Sequence, residues 1–205
     1  MNKLIILSAF FCIAVSCNKI EEKNNELKTS MAEKVIEAAS GQEIDALDVN
    51  NIEKNSSVVE VEIDGKNISK DFENGFGNIT ASKETIAITV TGGENGQDNI
   101  LLGFTGKDLT TERPIKGKMV KGENAGFTFS TMRLVESGME ALISMEAEGE
   151  IISMNEEKTV IRLKGKLSNT LDAENPEKWK SYEGTITLNY PIFQALGSSK
   201  EDFIY

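Results

Sequence analysis

The sequence contains no histidine, and its two cysteines, Cys12 and Cys17, both lie close to its start. Without histidine, Ser-His-Asp and Cys-His catalysis is impossible. Zinc sites built from His and Cys are excluded as well, because Cys17 stands alone once a leader is removed. No G-x-x-x-x-G-K-[ST] or G-x-G-x-x-G stretch follows a strand and opens a helix, so the common phosphate-binding loops are missing. Proline is scarce at 3, and Trp179 is the only tryptophan. Cations are outnumbered, 22 against 33 acids, which gives a net charge of −11. Such a surface repels phosphate backbones and anionic headgroups, so nucleic acid is not an expected partner. Membrane attachment must then be hydrophobic or covalent.

The apolar run is short and falls at the beginning. Lys3 precedes Leu4 to Val15, broken only by Ser8, and Ala14-Val15-Ser16-Cys17 follows. This run is too short to cross a hydrocarbon core of ~30 Å as a helix. Small residues at the first and third positions before Cys17 suit a signal peptidase. Removing residues 1–16 takes away Lys3 and no acid, moving the charge from −11 to −12.

These residues resemble a lipoprotein signal with its lipobox. Ser16 and Cys17 match the pattern, Ala14 replaces the usual Leu, and Val15 is larger than usual. The resemblance implies a diacylglycerol thioether and an N-acyl chain on Cys17, with no other cofactor. One acyl chain anchors only marginally, whereas two or three hold effectively permanently. A plain secretory signal would be cut at the same bond. It would leave Cys17 a free thiol with no internal partner in an oxidising compartment.

Residues 17–29 read as a lipidated tether, polar and solvated. Lys19, Glu21 and Glu22 resemble the export signal of surface lipoproteins in the Bacteroidetes, with Ile20 interrupting it, and a generic tether has the same composition. The expected location is the cell envelope, at the outer membrane and facing the surface. Residues 30–56 hold a predicted helix and a linker. Ser30 and Glu33 fit a capping box, and Met31, Val35, Ile36, Ala38 and Ala39 recur near helical spacing up to Ser40-Gly41.

From residue 57 to 205 the period becomes two. Val59, Val61 and Ile63 alternate with Val58, Glu60 and Glu62, and Asp64-Gly65 signals a hairpin. Ile86, Ile88 and Val90 form an apolar face, as do Ile100, Leu102 and Phe104, and then Phe127 and Phe129. Glu146 to Leu167 reads as a hairpin turning at Asn155-Glu156-Glu157-Lys158. Its Ile161, Leu163 and Leu167 point inward, and Arg162, Lys164 and Lys166 outward. Gly184, Ile186, Leu188 and Tyr190 make the last strand before Pro191. Gly165 and Gly184 mark bulges or close approaches. Short strands with turn signals and no helical pattern between them predict an antiparallel β-sandwich or partly open barrel. The strand order resembles small uncharacterised β-sandwich lipoproteins of the Bacteroidetes, a resemblance that implies no activity.

The chemistry left is sparse. A glycosidase needs only two acids across a cleft, and Asp71 with Glu73 or Asp172 with Glu174 are the candidates. Against that stands the plain reading of solvated charges in an acidic chain. The 94–99 stretch with Asp98, together with Asp172 and Glu174, offers oxygen ligands suited to calcium, but neither segment matches a calcium-loop motif. Metal-free turns explain both segments. Trp179 and Tyr182, behind Pro176, could anchor a protein partner or stack on a glycan. The commoner role of such a lone tryptophan is to cover the open end of the sandwich. The reading as a whole is a non-enzymatic binding or structural domain. A glycan-binding module requires both rings on one exposed platform. A carboxylate hydrolase requires an acid pair across a cleft with one raised pKa.

Overall fold

Strands occupy most of the computed structural model, which describes residues 53–93, 96–121 and 125–205. Cys17, the tether and the predicted 31–39 helix lie outside the described residues. Asn55–Tyr205 forms one compact unit, beginning two residues ahead of the boundary expected from the periodicity. Its strands are β1 (Ser56–Ile63), β2 (Lys66–Asn67), β3 (Phe76–Ala81), β4 (Thr85–Gly92), β5 (Asp98–Thr105) and β6 (Ile115–Val120). They continue with β7 (Phe127–Val135), β8 (Gly138–Met154), β9 (Lys158–Ser168), β10 (Lys180–Asn189) and β11 (Ile192–Ala195). Among the described residues no helix is long and apolar enough to cross a membrane.

The strands build one curled sheet, a half-barrel, in the order β11-β3-β4-β5-β7-β8-β9-β10-β1-β2, with β6 beside β8. Pairing is antiparallel except for β11, which returns after Pro191 to run parallel to β3. Period-two burial follows the sequence closely: Val59, Val61 and Ile63 are buried while Val58, Glu60 and Glu62 face water. Asp64 and Gly65 take φ of 55° and 74°, the double positive-φ geometry of a two-residue hairpin. That hairpin is brief, and the main partner of β1 is β10, paired from Ser56–Asn189 to Ile63–Tyr182.

β8 is long because two partners share one of its edges. Gly138 to Ile143 pair with β7, and Glu146 to Ile151 pair with β6. The register shifts between Ser144 and Glu146, as at a bulge. At this handover the Ser144 hydroxyl accepts from the Phe129 amide at 2.8 Å and donates to the Phe129 carbonyl at 2.5 Å. It replaces the ladder bonds that β7 gives up as it leaves.

The sheet is drawn together between β1 and β3. The Asn55 side-chain amide donates to the Gly77 carbonyl and accepts from the Gly77 amide, both at 3.0 Å. The Ser57 amide donates to the Gly75 carbonyl at 2.8 Å. Asn55 is 3% exposed, so these bonds are shielded from water.

The interior is filled by side chains. Phe104 and Phe127 rings lie 4.7 Å apart, and Phe129 packs on Tyr182 at the same distance. The 3-10 turn Ser69–Phe72 drives Phe72 into the core. Near the end of β8, Tyr205 exchanges backbone bonds with Met154, donating at 2.7 Å and accepting at 3.1 Å. Phe203 is fully buried beside Phe193. A Cβ on Gly165 would strike the Glu146 carbonyl, and one on Gly184 the Glu60 carbonyl, so both positions are close backbone approaches.

Candidate functional site

The predicted acid pairs do not face one another. Asp71 lies on the 3-10 turn and its Oδ2 takes a 2.8 Å ion pair from Arg133, whereas Glu73 is exposed. Asp172 is held by Lys178 at 2.6 Å and by the Asn169 amide at 3.0 Å. Hydrogen bonds from Lys178 and then Asn169 keep its pKa below the ordinary carboxylate value. Glu174 turns instead to Lys121 at 2.8 Å.

Asp98 is buried at the start of β5. Its Oδ1 accepts the Leu134 amide at 2.6 Å. Burial raises its pKa, the Leu134 bond and Arg133 oppose that, and the Asp71 charge adds to it. Glu94 and Asn95 of the same turn lie outside the described residues. Among the described residues, no group of three or more acids stands close enough to hold a metal ion.

The two aromatic candidates part company. Tyr182 alternates inward on β10 and is 3% exposed. Burial lifts its hydroxyl pKa far above the ordinary tyrosine range. Trp179 is half-buried, with the Lys121 ammonium 5.7 Å from its ring centre. The two rings therefore do not form one exposed platform. The preceding Pro176–Lys178 turn leaves Trp179 at the strand entry, and the inward phase of β10 carries Tyr182 into the core.

Two charged assemblies went unread in the sequence. The first is a hub at the start of β8. Arg133, 9% exposed, alternates inward with Phe127, Phe129 and Thr131 on β7. Its guanidinium binds Asp71 and, at 2.5 Å, Glu140, which also takes Lys180 at 2.6 Å. Burial pushes the Glu140 carboxyl up, but hydrogen bonds from Lys180 and Arg133, with their charges, hold it below the usual range. The hub thus ties the 3-10 turn, β7, β8 and β10 together. Its signal is an arginine where the period demands an apolar residue.

The second assembly is the outer face of β6, β8, β9, β10 and β1. It forms an open depression of about 960 Å³ whose lining carries both signs of charge, with Asn67, Thr185, Leu163 and three glycines between them. One rung runs Lys118, Glu148, Lys164, Glu183, Glu62, and the next runs Lys116, Glu150, Arg162, Thr185, Glu60. Glu148 takes Lys118 at 3.1 Å and Lys164 at 3.0 Å, and both ion pairs lower its pKa. Glu150 takes Lys116 at 3.2 Å and Arg162 at 3.5 Å, and Glu146 takes Lys166 at 3.4 Å. β6 and β9 therefore contribute columns of cations, β8 and β1 columns of acids, and β10 the single acid Glu183. Chemically, the face can offer paired and unpaired charges to a macromolecular surface.

In comparisons with known proteins, the chain matches no known family, no curated protein and no solved structure.

Proposed function

We propose that this protein is an exported envelope lipoprotein, held by acyl chains on Cys17, whose β domain is a non-enzymatic binding or structural body. The observation that carries the reading is the signal-like segment ending at Cys17, after which the sequence has no second cysteine. A lone exported thiol is a liability, and acylation removes it. The filled interior and the ion-paired acids support a body that works through its outer surface. Lys19, Glu21 and Glu22 support display on the outer membrane.

Intact mass measurement of the natural protein tests this. The expected mass exceeds the polypeptide from residue 17 by a diacylglycerol and an acyl chain. The protein stays with the membrane fraction through a high-salt wash, since attachment is not electrostatic. Cys17→Ser releases it into the aqueous fraction. A bare polypeptide mass overturns the reading. Protease shaving of intact cells then tests surface display, with digestion expected.

A further inference from the structure

We propose that the outer face of β6, β8, β9, β10 and β1 pairs with a second copy of this chain, about a two-fold axis parallel to the strands and running between β8 and β9. The argument is the sign order of the columns. β6 presents Lys116 and Lys118, and β8 presents Glu146, Glu148 and Glu150. β9 presents Arg162, Lys164 and Lys166, and β10 presents Glu183. Reading across from β6 to β10, the signs run plus, minus, plus, minus, so these four strands are antisymmetric about the β8–β9 boundary, and the acids Glu60 and Glu62 of β1 lie beyond that match.

A two-fold axis along that boundary lays each column on the partner's opposite column and preserves the rungs. Glu148 then faces the second copy's Lys164, Glu150 its Arg162, Glu146 its Lys166 and Lys118 its Glu183, each contact made twice by symmetry. An in-plane axis across the strands would lay every column on itself and oppose like charges. The face therefore selects one orientation. Glu183 supplies the independent clue. It stands directly opposite Glu62, a destabilising like-charge pair, and makes no ion pair with the cations of its own face. The second copy's Lys118 would neutralise it. Individually weak surface pairs gain here from being many and in register. The proposal stands whether or not Cys17 is acylated.

The test uses the mature chain, residues 17–205, carrying Cys17→Ser, in sedimentation velocity at low salt and at 1 M salt. The wild type is expected to dimerise, with an affinity about ten-fold or more weaker at high salt. Two triple variants are expected to be monomeric alone and to associate when mixed: Glu146→Lys with Glu148→Lys and Glu150→Lys, and Arg162→Glu with Lys164→Glu and Lys166→Glu. A wild type that stays monomeric to millimolar concentration overturns the proposal, as does a mixture that stays monomeric. Should circular dichroism show a triple variant unfolded, single changes decide. Glu183→Lys should weaken the dimer, and adding Lys118→Glu should restore it. If the double change restores nothing, the proposed orientation is wrong.

Discussion

Asn55 acts as a strand where no strand exists. Its side-chain amide copies a peptide group, giving Gly77 both a donor and an acceptor across the gap between β1 and β3. Removing it strands a buried amide and a buried carbonyl. Asn55→Ala should cost about 2–3 kcal/mol in chemical denaturation, and hydrogen exchange at the Gly77 amide should quicken. Glu140 makes the other residue-scale case. Its folded pKa lies below its unfolded value, so its contribution is fully present above about pH 4.3 and is lost as pH falls through the folded value. Thermal melts from pH 7 downward should show the wild type losing stability over that acid range, with Glu140→Gln showing a smaller acid loss. Neither residue announced its role: Asn55 reads as linker polarity, and Glu140 as one more acid among 33.

At the scale of the element, legibility followed the environment of each strand. β1, β4, β5 and β10 have one wet face, so alternation exposed them. β3 is buried on nearly every residue and includes Gly77 and Asn78, so no period survives. β6 reads Ile-Lys-Gly-Lys-Met-Val, and its single Gly at an inward position hides the pattern. That glycine is required: Gly117 meets the Gly126 backbone, and its neighbour across the pair, Gly149, lies under the Phe127 ring. A Cβ on Gly149 would come within 2.5 Å of Phe127 atoms. Gly149→Val should therefore destabilise the domain by about 1–3 kcal/mol, measured by urea unfolding. The expected close approaches at Gly165 and Gly184 are present too, against backbone carbonyls, Gly184 in the rung of Gly117 and Gly149 and Gly165 in the next inward rung. The parallel return of β11 could not be read, because nothing local to Ile192–Ala195 distinguishes parallel from antiparallel pairing.

For the molecule as a whole, the sequence carried the class of fold, an antiparallel β-sandwich or partly open barrel, which the curled sheet fits, more fully than it carried a site. Charge columns require knowing which strands are neighbours, and β6 beside β8 skips β7. Trp179 and Tyr182, close in sequence, are separated by one inward turn of phase. The pairing of β1 with β10 joins residues more than a hundred positions apart, so the β1–β10 ladder closes late, on a long loop.

The clasp at Asn55 also has a mechanical meaning. Any pull on the chain ahead of the β domain arrives first at this side chain and at the Ser57–Gly75 bond behind it. Beyond them, β1 would have to peel from β10 one rung at a time, beginning at Ser56 and Asn189. A short-range amide lock placed before a ladder that unzips makes the first few ångströms of extension the stiffest. If the domain is pulled from that side, small extensions load the amide lock before the β1–β10 ladder.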